Sequence, residues 1–267
     1  MGYVKSKSPY TGRMRSRPHR PSRPARGGHQ SVWLFGRHAV LSALANPERR
    51  IERILATKEA AERHAAELGN KVELFSRDDL AHRLPAGAVH QGLAALVTPL
   101  EEPQLEDVLA RCGENALVLA LDQVTDPHNV GAILRSAAAF GVAGLIVTER
   151  HAPADTGVLA KAASGALEIV PLVRAVNLAR ALDQLKEAGF WLYGLDERGD
   201  VAIDDLDLLG RAGIVLGAEG EGLRRLTAEK CDRLVTIPTD ARLAALNVSN
   251  AAAVAAYEWV RQRREKP

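Results

Sequence analysis

The run Ala116-Leu117-Val118-Leu119-Ala120-Leu121 narrows what this chain can fold into more than any other stretch. A strand with one solvated face alternates apolar and polar residues. An unbroken apolar run is instead buried on both faces, as strands are inside a parallel sheet. A strand is predicted over Ala116–Val124, with the turn signal Asp126-Pro127 after it. Helix Val130–Phe140, closed by Gly141, comes next, then strand Leu145–Thr148, helix Thr156–Ala163 and strand Ile169–Val173. Helix Leu178–Ala188 and strands Trp191–Leu195 and Gly213–Leu216 follow. Helix Leu226–Lys230, strand Leu234–Ile237 and a last helix from about Asn247 to Arg264 complete the pattern. Such alternation specifies an α/β fold, a mainly parallel sheet with helices on both faces. Ligands bind these sheets at the loops beyond the strands' C-terminal ends.

Upstream the elements are shorter. Trp33-Leu34-Phe35-Gly36 leads into helix His38–Ala45, and then come strand Ile51–Thr57, helix Lys58–Leu68 and strand Val72–Phe75. Helix Asp78–Leu84 and strand Leu93–Val97 finish a small α/β module over residues 31–98. Residues 99–112, which open with Pro99 and Pro103, read as a linker, and 113–267 as the larger domain. Residues 1–30 hold eight Lys and Arg and no acid, amid Pro, Ser and Gly; this composition predicts a disordered basic tail. The other 27 basic residues face all 33 acids, so residues 31–267 carry a net charge of −6. That split suggests an arm for a polyanion. No apolar run approaches the roughly 18–20 residues that cross a bilayer, and no apolar secretory core opens the chain. The expectation is therefore a soluble, cytoplasmic protein with no membrane partner. Cys112 and Cys231 lie far apart and outside any C-x-x-C pair, so neither a disulfide framework nor a cysteine metal site is expected. The eight histidines form no metal-binding spacing, and no metal is predicted.

Three segments carry the chemistry. In the first, Asp126 to Ala137, Asn129 stands at the expected N-cap of its helix and Arg135 lies among small residues. From there Arg135 can reach back toward the helix N-terminus to meet a phosphate or a developing oxyanion. The second, Gly217-Ala218-Glu219-Gly220-Glu221-Gly222, follows a strand, and its glycines permit positive φ and close approach to a ligand. Its order, G-x-x-G-x-G, differs from the dinucleotide fingerprint. Glu219 would repel a phosphate, and suits a cationic sulfonium ligand better. In the third, Ile237-Pro238 precedes a loop, and Leu246-Asn247-Val248-Ser249 opens the last helix. Asn247 and Ser249 are good caps there, and could equally line a pocket shared with the other two segments.

Taken together, Asn129-x-Gly131-x-Ile133-x-Arg135-x-Ala137, Leu216-Gly217-x-Glu219-Gly220-x-Gly222-Leu223, and Ile237-Pro238 with Leu246-Asn247-Val248-Ser249 resemble the SpoU family of RNA ribose methyltransferases, within the SPOUT class. Lys161 and Ser164-Gly165-Ala166-Leu167-Glu168 are also similar to that family, and Phe35-Gly36-x-His38-Ala39-Val40 with His90-Gln91-Gly92 resembles its rRNA substrate-binding domain. The resemblance implies a knotted C-terminal methyltransferase domain after an RNA substrate-binding domain. It implies S-adenosyl-L-methionine as cofactor, ribosomal RNA as partner, and a homodimer with active sites near the subunit interface. By motif, Gly217, Ile237 and Leu246 would hold the cofactor. Arg135 would be catalytic, with Asn129, Glu219 and Asn247 positioning substrate and loops. The expected activity is methylation of a ribose 2′-hydroxyl, of the type acting on a guanosine of 23S rRNA. A tRNA ribose methyltransferase and a non-catalytic ribosome-assembly factor stay open as alternatives. Ala241 and Ala245 depart from the Gly and Ser usual in the family.

Overall fold

A seven-stranded sheet, entirely parallel, takes up the apolar runs predicted to be buried. The computed structural model describes residues 31–150, 157–240 and 246–265. The basic tail and the two departures, Ala241 and Ala245, lie outside the described residues, as does Thr156 at the expected start of a helix.

The first unit is a four-stranded sheet in the order β1-β4-β2-β3, built from β1 (Val32–Phe35), β2 (Ile51–Ala56), β3 (Val72–Leu74) and β4 (Leu93–Val97). Strand β4 runs antiparallel to both its neighbours, while β2 and β3 are parallel. Helix α1 (Arg37–Ala45) packs Val40 and Ala43 into a core with Leu34, Ile54, Leu93 and Val97. The predicted helix over Lys58–Leu68 is broken at His64 into α2 (Lys58–Arg63) and α3 (Ala65–Leu68), since His64 leaves helical geometry with φ −118° and ψ 28°. Helix α4 (Arg77–His82) is capped by Ser76, whose hydroxyl accepts from Asp79 N at 3.1 Å.

Residues 99–112, expected as a linker, carry a helix, α5 (Leu105–Arg111). Its Leu105 and Val108 pack into the larger domain's core beside Val118 and Ile146. The seven-stranded sheet has the order β7-β6-β5-β10-β8-β11-β9. Its members are β5 (Ala116–Asp122), β6 (Gly144–Thr148), β7 (Leu172–Ala175), β8 (Trp191–Leu195), β9 (Val201–Ala202), β10 (Arg211–Gly217) and β11 (Arg233–Thr236). Every residue of β5 is buried, as its composition requires. The predicted strand Ile169–Val173 starts later, at Leu172, because Ala166–Glu168 forms a 3₁₀ turn. Helices α6 (Pro127–Phe140), α7 (Gly157–Ala163) and α10 (Val248–Glu265) cover one face, where the core runs from Leu121 and Ile133 to Trp259. The core of the other face is built on α5 and α8 (Leu178–Glu187), with α9 (Arg225–Lys230) packed against α8. Among the described residues no helix is long and apolar enough to cross a membrane.

Cys112 and Cys231 are free and half-buried. Burial raises both thiols above their ordinary value, Cys231 to about 12.

Candidate active site

The chain passes from β5 through β6 to β7 on one side of the sheet, then crosses so that β10 sits between β5 and β8. A cleft of about 880 Å³ opens at the C-terminal ends of β8, β10 and β11, close to that switch in direction. The size falls in the range of small-molecule sites, roughly 300–1,000 Å³. Gly217, Ile237 and Leu246, the three predicted cofactor residues, all line it. Gly217 has to be glycine, because a Cβ there would lie 2.1 Å from the backbone carbon of Gly222. The loop folds back on itself through a hydrogen bond from Gly222 N to the Ala218 carbonyl at 3.0 Å. Gly220 and Gly222 sit at φ +81° and +66°, a region that disfavours a side chain.

At the cleft's edge the three sequence segments meet. Asn129 Nδ2 donates to Glu219 Oε1 at 3.2 Å, and Asn247 Nδ2 donates to Asn129 Oδ1 at 3.1 Å. Asn247 Nδ2 also donates to Glu219 Oε1. A single amide nitrogen therefore links a loop carboxylate to a helix asparagine. Asn247 Oδ1 in turn accepts from Ser249 N at 2.9 Å, capping α10. The capping and site readings of Asn247 hold together. For Asn129 the predicted cap role is replaced. Asp126 is the N-cap of α6, its carboxylate accepting from His128 N at 2.9 Å, and Pro127 occupies the first turn. Asn129 thus lies inside that turn with its side chain turned to Glu219.

Arg135 stands apart from this cluster. It is exposed, neither lines the cleft nor bonds to Asn129, Glu219 or Asn247, and is without a hydrogen bond among the described residues. With exposed Ala139 and half-buried Ala132 and Ser136 it forms a strip of α6 that reaches solvent, alongside Val254 and Tyr257 of α10. Tyr257 packs edge-on against Phe140 at 6.0 Å.

Two acids at strand ends escaped the sequence reading. Asp196, just after β8, lines the cleft with a side chain 5% exposed. Hydrogen bonds from the Arg198 guanidinium, chiefly, hold its carboxyl below the usual carboxylate range against the cost of burial. Asp122, which ends β5, is fully buried and accepts from Arg224 N at 3.1 Å and Nε at 2.7 Å, fixing the start of α9. Their common signal is an acid closing an apolar strand, where a sheet of this kind places its site. Among the described residues no group of three or more His, Cys, Asp and Glu could hold a metal ion.

Comparison with known proteins adds to this geometry. The SpoU rRNA Methylase family matches residues 116–257, and the RNA 2′-O ribose methyltransferase substrate binding family matches residues 33–103. The chain belongs to the SpoU rRNA methylase family. SpoU relatives include the 23S rRNA (guanosine-2′-O-)-methyltransferase RlmB of Vibrio vulnificus, 42% identical over 86% of this chain and 97% of that protein. The RlmB of Xylella fastidiosa strain 9a5c is 38% identical over 88% and 98%. An uncharacterized tRNA/rRNA methyltransferase of Synechocystis is 39% identical over 86% of this chain, a match spanning 62% of the longer protein. Among solved structures, the SpoU methyltransferase AviRb of Streptomyces viridochromogenes, in complex with the cofactor AdoMet, superposes with a TM-score of 0.74. It is 25% identical, with 89% of this chain and 92% of that one covered. The chain thus has the SpoU arrangement of a substrate-binding domain followed by a methyltransferase domain of α/β fold.

Proposed function

We propose that this protein uses S-adenosylmethionine to methylate the ribose 2′-hydroxyl of a guanosine in 23S rRNA. The observation that carries the reading is the junction of Asn129, Glu219 and Asn247 at the edge of the cleft lined by Gly217, Ile237 and Leu246. The RlmB relatives, matched over nearly their whole length, support the choice of substrate.

The cleft suits the cofactor on two counts. The missing side chain at Gly217 lets the loop pack its own backbone at Gly222 against the strand end and so shapes the cleft's wall. The lining acids Asp196, Glu197, Glu219 and Glu221 outnumber the lining base Arg198 and favour a cationic sulfonium over a phosphate. When bound, the cofactor supplies an activated methyl group. The protein's part is to orient the ribose and stabilise charge. A hydroxyl is a weak nucleophile until negative charge on its oxygen is stabilised. In this reading the Arg135 guanidinium, together with a substrate phosphate, stabilises the forming 2′-oxyanion. Asn129, Glu219 and Asn247 hold the loops and the ribose in place. Gly217, Ile237 and Leu246 hold the cofactor largely through backbone groups.

Arg135 lies on the α6–α10 strip, away from its own cleft, which fits a homodimer whose second copy covers that strip. Small Ala132, Ser136 and Ala139 let another backbone approach closely, and half-exposed Val254 and Tyr257 supply apolar area. The working compartment is the cytoplasm, where rRNA is matured. The deciding experiment is transfer of a labelled methyl group from S-adenosylmethionine to unmodified 23S rRNA, with the product mapped. A 2′-O-methyl mark on one guanosine, lost in Arg135→Ala, is the expected result. Folded protein that transfers nothing to 23S rRNA or tRNA would overturn it.

A further inference from the structure

One buried charge pair has no part in the chemistry described so far, and it joins the two domains. Arg49 lies just before β2 in the smaller domain, and Glu168 ends the 3₁₀ turn of the larger. Arg49 Nε donates to both Glu168 oxygens at 3.1 Å, and Nη2 donates to Oε1 at 2.6 Å. The two side chains are 6% and 3% exposed. Asn46 Nδ2 adds a bond to Glu168 Oε2 at 2.8 Å, and Arg49 Nη1 donates to the Thr98 carbonyl at 2.9 Å, where the chain leaves the first sheet. One guanidinium therefore fastens three segments.

The surroundings of the pair are equally close-fitting. A Cβ on Gly165, which sits at φ +89°, would lie 2.3 Å from Ser42 Oγ and 2.7 Å from Ser42 Cβ, so the backbone of the larger domain rests directly on α1. Ala160 of α7 packs on the apolar core of the smaller domain. On its other side, α7 meets the helix that carries Asn129: a Cβ on Gly131 would lie 2.3 Å from Ala162 Cβ. Thus α7 is wedged between the substrate-binding core and the helix of the candidate active site.

Domains joined by ordinary polar contacts move relative to one another. An apolar patch alone tolerates sliding, whereas a guanidinium bonded to both oxygens of a carboxylate accepts one geometry. A buried pair of this kind adds little net stability over an apolar substitute, so its distinctive contribution is orientation. We infer that Arg49 and Glu168 are positioning residues, which hold the RNA-binding domain at one fixed offset from the active site so that the offset selects the ribose to be methylated. This rests on the methyltransferase reading above.

The test combines a distance with kinetics. Spin labels are placed at exposed Glu62→Cys and Glu187→Cys in a background where Cys112 and Cys231 are alanine, diluted with unlabelled protein to isolate distances within one chain. The wild-type pair should give one narrow distance by electron–electron resonance, and Glu168→Gln should broaden it. Cofactor affinity should stay unchanged, while KM for 23S rRNA rises about tenfold, kcat changes by less than about twofold, and methyl groups appear on neighbouring nucleotides. The reversed pair Arg49→Glu with Glu168→Arg should restore the narrow distance, KM and target. Asn46→Ala, which leaves Arg49 paired, should shift KM in the same direction by a smaller factor and serves if Glu168→Gln does not fold. A broad distance in the wild type, or a folded Glu168→Gln variant with wild-type KM and target, would overturn the inference. So would a reversed pair that recovers stability but not KM. Should wild-type protein bind cofactor yet transfer no methyl group, the methyltransferase reading fails, and the offset-selection inference that rests on it falls too. The distance would then decide only whether the domains are locked.

Discussion

Asn247 both caps α10 through its oxygen and ties Asn129 to Glu219 through its nitrogen. Asn247→Ser separates the two roles, since serine keeps a capping oxygen and loses the amide donors. A hydrogen bond to a charged group contributes about 1.5–3 kcal/mol, and an exposed carboxylate such as Glu219 belongs at the low end. Methyl transfer by Asn247→Ser should therefore fall by about tenfold with the melting temperature nearly unchanged. Equal losses of stability and activity would assign Asn247 to capping alone. His90, which is buried and accepts from Gly92 N at 3.1 Å, gives a pH prediction. Burial, with a smaller effect from Arg77, lowers its pKa below the ordinary 6.5, so the folded state favours the neutral ring. Its contribution to stability is complete above about pH 6.5 and is lost as pH falls through the lowered value. The urea midpoint should drop between neutral and mildly acidic pH, and drop less in His90→Asn, which keeps an acceptor without the titration.

Helix α6 shows how much of a site can be read from sequence at the level of an element. Its existence, its closing Gly141 and the polar residues at its start are legible because helix ends have local chemistry. The cap is Asp126, with Pro127 at N1, rather than Asn129, because both residues suit the position and only the proline after Asp126 separates them. Helix α5 is not legible in the sequence because it is a single short segment behind Pro99 and Pro103, with too few turns for a period to show. The two-residue β9 gives even less to read. The bonds joining Asn129 to Glu219 and Arg49 to Glu168 span 90 and 119 residues, and no local spacing encodes such pairings. The packing of α6 on α7 is tight enough to test. Gly131→Ala places a methyl group 2.3 Å from Ala162 Cβ and under 3.0 Å from the backbone of α7. The overlap should destabilise the protein by roughly 1–3 kcal/mol, read as a lower urea midpoint. Unchanged stability would mean that the two helices separate freely.

For the whole molecule, the α6–α10 strip and the basic tail make separate predictions. Val254→Glu together with Tyr257→Glu puts charge on the strip proposed to meet a second copy, and should convert a dimer to a monomer in sedimentation while leaving the fold intact. A wild-type protein that sediments as a monomer would remove the strip from the proposal. Deleting residues 1–30 withdraws eight positive charges from a chain that is otherwise net acidic. RNA affinity should weaken and its dependence on salt should flatten, because fewer counterions are released on binding. Identical salt slopes would mean that the tail does not touch RNA.

The strand order also bears on how the protein is made. Strand β5 sits between β6, which follows it closely, and β10, which starts at Arg211 opposite Ala116. A nascent chain halted anywhere between residues 150 and 211 exposes one whole edge of its most apolar strand. The first sheet can close once Val97 is made, yet it waits for Ala160 to complete its packing. Each domain therefore depends on sequence synthesised well after it begins, and chaperone demand during translation should peak in that interval.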